Sequence, residues 1–174
     1  MKLPKISLIG AGSGAFALSL IRDLCLTKNL EGSTVSFMDI DPERLEGSAM
    51  LCKRYADELG MHLVFEQTTS REESLQGADF VINTALAAPK GHGGWQRLED
   101  GWKIAQSLGY RWGGSLAAMH DEAFWINFYQ LQFFETLVED ILRICPDAWY
   151  MQVANSVLGG TTFLTRKYPE LKMV

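Results

Sequence analysis

The sequence predicts an α/β fold built on a doubly wound parallel sheet, and three observations predict it. The first is the stretch from Lys5 to Phe16, an apolar run that halts at Gly10, Gly12 and Gly14 and resumes with helical spacing. The second is the alternation of short apolar runs with longer stretches of 3.6-residue period, the pattern of strand–helix–strand units. The third is Asp39, which closes the second apolar run about 25 residues beyond the glycines, near the ~20 at which such folds place an acidic residue.

The spacing Gly10-x-Gly12-x-x-Ala15 is that of a dinucleotide-binding turn. Gly10 permits the tight turn, Gly12 lets a pyrophosphate approach the backbone, and Ala15 stands where close packing of helix on strand is expected. The free N–H groups of the first helical turn offer partial positive charge to an anion. Gly10, Gly12, Ser13 and Gly14 are therefore candidate cofactor-binding residues. Two competing readings are an ordinary glycine turn and a secretory leader, the latter because Lys2 and Lys5 precede an apolar stretch with Ala15-Phe16-Ala17. Against the leader, glycines interrupt the stretch and helical spacing continues through Leu18, Ile21, Leu24 and Cys25.

With 174 residues and 47% hydrophobic content, the chain fits one domain with a sizeable core. The net charge is −5 and the basic residues are scattered, so no footprint for nucleic acid or an anionic membrane is expected. No apolar run approaches the ~20 residues of a membrane span. Cys25, Cys52 and Cys145 are odd in number and lie in helical apolar patterns, which points to buried, reduced thiols and a cytoplasmic setting.

In chain order, the first strand is followed by a helix from about Gly14 to Leu26. The second strand is Thr34 to Met38, closing at Asp39, the candidate acceptor for the adenosine ribose hydroxyls. A carboxylate there disfavours a 2′-phosphate, so NAD is expected over NADP. Asp41-Pro42-Glu43-Arg44 reads as an N-cap, a proline at N1 and an acidic first turn, so Asp41 is assigned to capping. The second helix runs from Pro42 to Leu59 and stops at Gly60. His62 to Glu66 is the third strand, and Thr69 to Glu73 caps a short helix closed by Gly77. Asp79 to Thr84 is the fourth strand. In this architecture its end flanks the crevice, so Asn83, Thr84 and Ala85 are expected to face the cofactor.

Residues 86–119 break the pattern: Pro89 to Gly94 form a loop, Trp95 to Leu108 a helix, and Gly109 to Ser115 a second loop carrying Tyr110, Arg111 and Trp112. The segment reads either as a substrate lid or as a structural excursion packed by its tryptophans. His62, His92 and His120 have no metal-ligand spacing. The longest helix runs from about Asp121 to Cys145, with Phe124, Phe128, Leu131, Val138 and Leu142 as its core stripe, widened by Trp125, Phe134 and Ile141. Ala148 to Val153 is the fifth strand. It ends at Asn155, whose amide can donate and accept toward the nicotinamide ribose or a substrate hydroxyl. A helix from Val157 to Lys167 and the start of a sixth strand at Leu171 to Val174 complete the chain, which reads as truncated there.

Ile9-Gly10-Ala11-Gly12-Ser13, Met38-Asp39-Ile40-Asp41 with Arg44-Leu45, Gly77 to Thr84, and Met151 to Asn155 through Thr161-Thr162 together resemble glycoside hydrolase family 4 over essentially the whole chain. The loop around Trp95, Gly109, Tyr110 and Arg111 looks closest to the branch acting on uronides. The resemblance implies a Rossmann-type domain binding NAD, and a glycosidase working by redox elimination. In the family, NAD oxidises C3 of the sugar, a base takes the C2 proton with help from Mn²⁺ or another divalent metal, the aglycone leaves and water adds. It also implies cofactor contacts at Gly10, Gly12, Ser13, Asp39 and Asn155, and substrate contacts at Asn155 and Arg111. The family's Asn-Pro is here Asn155-Ser156. Its Cys-His metal pair is expected just beyond Val174 and its catalytic tyrosine farther on, so a C-terminal metal domain is expected to be absent, and the 174-residue chain to be inactive alone. The full-length protein is expected to form homo-oligomers and to take a small-molecule glycoside. An NAD-dependent lactate-, malate- or sugar dehydrogenase, or a non-catalytic nucleotide-binding module, are the alternatives.

Overall fold

The computed structural model describes residues 3–87, 94–111 and 124–174. It contains a five-stranded, all-parallel sheet of order β3-β2-β1-β4-β5, the doubly wound architecture that the glycine turn and alternating periods predict. The strands are β1 (Lys5–Ile9), β2 (Thr34–Met38), β3 (Val64–Thr68), β4 (Phe80–Asn83) and β5 (Trp149–Gln152). The helices are α1 (Gly14–Cys25), α2 (Pro42–Glu58), α3 (Arg71–Leu75), α4 (Gly94–Ser107), α5 (Phe124–Ile144) and α6 (Val157–Lys167).

A parallel strand covered on both faces needs apolar residues at successive positions, and the central strands have them. Ile6, Leu8 and Ile9 of β1 and Val35, Phe37 and Met38 of β2 are all buried. One core packs α1 and α2 on one face of the sheet, joining Ile21, Leu24, Ala49, Cys52 and Ala56 to Leu8 and Phe37. The other packs α3, α5 and α6 on the opposite face around Tyr150, Phe134, Leu137, Ile141 and Leu164. Here α6 comes close to α5 because Gly160 has no side chain: a Cβ there would sit 2.6 Å from the Phe134 ring. β3 is the polar edge, with Lys5 reaching Glu66 across 2.9 Å. At the other edge Met173 bridges in parallel to Tyr150, and Gln152 N–H donates to Val174 O at 3.1 Å, so the expected sixth strand begins beside β5.

The helix signals act as read. Asp41 caps α2, its Oδ1 accepting from Glu43 N–H and Arg44 N–H at 3.1 Å each, and Ser70 caps α3. Three expectations are corrected. The third strand is Val64–Thr68 rather than 62–66, because its register is set by pairing Thr34 with Val64, while His62 lies exposed in the corner before it. Ala15 is exposed, and the small residues packed into the core are Ala11 and Ala17. Phe128, expected in the core, is 65% exposed, while Gln130 on the same helix is fully buried. The buried face of α5 is Gln130, Phe134, Leu137, Val138 and Ile141, so Phe134, Val138 and Ile141 lie in the core as expected, with Leu131 and Leu142 packed against it, while Gln130 and Leu137 join them and Phe128 does not. Residues 88–93 and 112–119 of the expected lid, with His92 and His120, lie outside the described residues. No helix among the described residues is long and apolar enough to cross a membrane.

Candidate functional site

The crevice lies where the chain reverses direction across the sheet, outside the C-terminal ends of β1 and β4. β1 stops at Gly10, whose φ of 88° suits glycine. A Cβ there would lie 2.7 Å from the Ala85 backbone, so the turn is pressed directly on the segment leaving β4. Gly10 N–H and Ala11 N–H both donate to Met38 O, at 2.9 and 3.0 Å, which clasps the turn to the end of β2 and delivers Asp39 to it.

Asp39 and Gly12, read separately in the sequence, are in contact. Gly12 N–H donates to Asp39 Oδ2 at 2.8 Å, and Asp41 N–H donates to Asp39 Oδ1 at 3.1 Å. A Cβ on Gly12 would stand 2.7 Å from Oδ2 and 3.2 Å from the Arg44 Cβ. A carboxylate offers about four lone-pair sites. Two serve these amides, which leaves each oxygen able to accept again from a vicinal diol. Ile40, next in the chain, is 87% exposed, an apolar side chain beside a charged acceptor.

Beside this acid is the start of α1. Ser13 stands at the N-cap without a side-chain cap bond, and the first turn holds no acidic residue. The first helical bond is Ala17 N–H to Ser13 O at 3.0 Å, so the N–H groups of Gly14, Ala15 and Phe16 precede the ladder. Ala15 and Phe16 are exposed. Uncapped amides, an open helix end and a glycine turn form an arrangement that stabilises an anion.

The far wall is the end of β4. Thr84 Oγ1 donates to Ile9 O at 3.0 Å and lies 3.3 Å from Gly10 O, fastening β4 to the turn. Asn83 turns inward: its side chain is buried, donating to Tyr150 Oη at 3.0 Å and Gln152 Oε1 at 3.4 Å and accepting from Ala85 N–H at 3.1 Å. The expectation that its amide faces a ligand is thus replaced by a scaffold role. Burial pushes the Tyr150 phenol well above its ordinary range, although the Asn83 hydrogen bond pulls the other way. Gln130, which sequence reading placed in no role, donates Nε2 to Ala85 O and accepts at Oε1 from Ala87 N–H, both at 2.8 Å. A glutamine in an apolar helical stripe was the one available sign of it.

Asn155 follows β5 and is half-buried at the same end of the sheet. Val153 N–H and Ala154 N–H both donate to Asn83 O, at 3.1 and 2.8 Å, and the Asn155–Ser156 peptide is cis. Arg111 is exposed after α4, and no hydrogen bond or ion pair among the described residues ties it to the crevice. Among the described residues no three His, Cys, Asp or Glu side chains come together to hold a metal ion. Cys25, Cys52 and Cys145 are free thiols.

The family model described as Family 4 glycosyl hydrolase matches residues 5–174. Over nearly its whole length the chain is similar to an alpha-glucosidase of Erwinia rhapontici, at 28% identity over 98% of this chain and 36% of the relative. An alpha-galacturonidase of Thermoanaerobacter italicus is equally similar, at 28% identity over 97% and 35%. These equal identities do not favour the uronide branch. The chain spans about a third of the length of the curated relatives it matches. Among solved structures, a 6-phospho-alpha-glucosidase from gut microorganisms, in complex with NAD and Mn²⁺, superposes with a TM-score of 0.77 at 22% identity, over 99% of this chain and 38% of that one. A lactate dehydrogenase from Eimeria maxima with NADH and oxamate shares the fold more loosely, with a TM-score of 0.63 at 18% identity, over 99% and 43%.

Proposed function

Because the chain belongs to family 4 of the glycosyl hydrolases, we propose that it forms the NAD-binding part of a glycosidase that cleaves O-glycosyl bonds by transient oxidation of the sugar. The observation that carries this reading is the contact of Gly12 with Asp39, which sets a carboxylate with two remaining acceptor sites beside an uncapped helix start. The fit to a dinucleotide is chemical. Asp39 Oδ1 and Oδ2 accept from the two adenosine ribose hydroxyls, Ile40 gives the adenine an apolar surface, and the α1 amides take the pyrophosphate. The same carboxylate repels a 2′-phosphate, which selects NAD over NADP.

When bound, NAD supplies a reversible hydride acceptor, so that the proton beside the oxidised carbon becomes acidic enough to remove. This chain contributes positioning. Asn155 offers one donor and one acceptor to the nicotinamide side and a sugar hydroxyl, and the inward-turned Asn83 keeps the two strand ends at constant spacing.

Calorimetric titration of the protein with NAD⁺ and NADP⁺ tests the reading. Saturable NAD⁺ binding is expected, with NADP⁺ weaker by about tenfold or more, and with that preference lost in Asp39→Ala. Equal affinity for the two nucleotides, or binding unaffected by Asp39→Ala, overturns it.

A further inference from the structure

A glutamine with no exposed surface, set among Phe134, Leu137 and Ile141 on the inner face of α5, is out of place by hydrophobic reasoning alone. Burying its amide is tolerable only because both ends are bonded: Nε2 to Ala85 O and Oε1 to Ala87 N–H, each at 2.8 Å. Both partners belong to the backbone leaving β4. Ala85 is gripped a second time, by Asn83 Oδ1 at its N–H, and it is the backbone against which Gly10 is pressed.

The grip continues across the sheet. Asn83 Nδ2 reaches Tyr150 Oη and Gln152 Oε1, and Gln152 Nε2 donates at 2.5 Å to the carbonyl of Ala154, the neighbour of Asn155. One series of hydrogen bonds therefore runs from α5 to the glycine turn's wall and on to the loop carrying Asn155. A methionine or leucine would fill the volume at 130. Two bonds to one short stretch of backbone add something packing does not, a single fixed place for that stretch.

We infer that Gln130 is a positioning residue for nucleotide binding, acting through Ala85 to hold the wall between the glycine turn and Asn155. The inference rests on the cofactor reading above. Its consequence is selective: the nicotinamide half of the ligand depends on this wall, whereas the adenosine half depends on Asp39, on the other side of the turn.

The test compares NAD⁺ with AMP, titrated by calorimetry into the unsubstituted chain, Gln130→Met and Gln130→Glu, together with amide hydrogen exchange at Ala87 in the free protein. Met keeps the length and removes both bonds, while Glu keeps the acceptor for Ala87 N–H. Gln130→Met is expected to weaken NAD⁺ by about tenfold, to leave AMP within about twofold, and to speed exchange at Ala87. Gln130→Glu keeps both bonds only while its buried carboxyl is protonated, the O–H donating to Ala85 O, so NAD⁺ affinity is expected to recover as pH is lowered from about 8 to about 5. Gln130→Leu, which also removes both bonds, carries the NAD⁺ against AMP comparison should the Met variant not fold. If NAD⁺ and AMP weaken in equal proportion, or NAD⁺ does not weaken, the positioning role is overturned while the cofactor reading stands. If the unsubstituted chain binds neither nucleotide, the cofactor reading fails and the inference falls with it.

Discussion

Asp39 serves two masters: its oxygens accept from the Gly12 and Asp41 amides and keep their other lone pairs for a ligand. The first duty orients the carboxylate for the second. Asp39→Asn keeps the size but sets an amide N–H₂ or a weaker neutral acceptor against the Gly12 N–H, so nucleotide affinity should fall by about 1.5–3 kcal/mol, readable by calorimetry. Gly12→Ala meets the same carboxylate from the other side. Its Cβ would stand 2.7 Å from Oδ2, and either the turn or the carboxylate must shift. We expect NAD⁺ affinity, read by calorimetry, to drop by about tenfold or more and thermal stability to fall as well, because Gly12 is buried and its neighbours must give way. The two residues were legible in the sequence through their spacing. Their contact was not, because Gly12 and Asp39 belong to different turns, brought together only when β1 pairs with β2.

At the scale of elements, local signals and packing contribute separately. The Asp41 cap satisfies two amides at the start of α2, and Asp41→Ala should cost about 1 kcal/mol in urea denaturation while leaving NAD⁺ affinity within about twofold, since the backbone N–H that orients Asp39 persists. Packing governs the contact of α5 with α6. Gly160→Ala drives a Cβ to 2.6 Å from the Phe134 ring, and the expected loss is about 1–3 kcal/mol, measured by thermal or chemical denaturation. The cap was read directly from Asp41-Pro42-Glu43. The close approach was not, because Gly160 within Gly159-Gly160-Thr161 carries no mark of the aromatic ring it meets. α5 gives the same lesson: helical spacing nominated Phe134, Val138 and Ile141 correctly, yet it also nominated Phe128, and the face that meets the sheet takes Leu137 and Gln130 instead. The helix turns the side that matches its neighbours, and Phe128 is left outside.

For the whole molecule, the thiols report on burial. Burial pushes Cys52 up to about 11 and pushes Cys145 to about 11 as well. A group whose folded value exceeds its unfolded one contributes stability that is complete below the unfolded value and is lost as pH rises through the folded one. With ordinary thiol values of 9.0, stability should hold up to pH 9 and decline between pH 9 and about 11. Tm followed across that interval checks it, and the slope should be shallower in a Cys52→Ala, Cys145→Ala variant. At neutral pH a thiol reagent should label half-buried Cys25 first and the other two only on unfolding.

By itself the sequence determined the elements and their order. Glycine turns, caps and apolar periods act within a few residues of chain, so Thr34–Met38 and Val157–Lys167 coincide with their expected bounds. It also determined the glycine turn with the uncapped start of α1 and the acid at 39, since both follow from residues close to a strand end. Only the tertiary structure decided which polar groups meet across the sheet. Gln130 with Ala85 and Ala87, and Asn83 with Tyr150 and Gln152, are joined over separations of 43 to 69 residues. Hydrogen bonds need geometry within a few tenths of an ångström, and that geometry exists only once β1, β4, β5 and α5 have packed. Thus Asn83, placed by the sequence at the strand end beside the crevice, came to face the core, and a glutamine with no local signature came to hold the crevice wall.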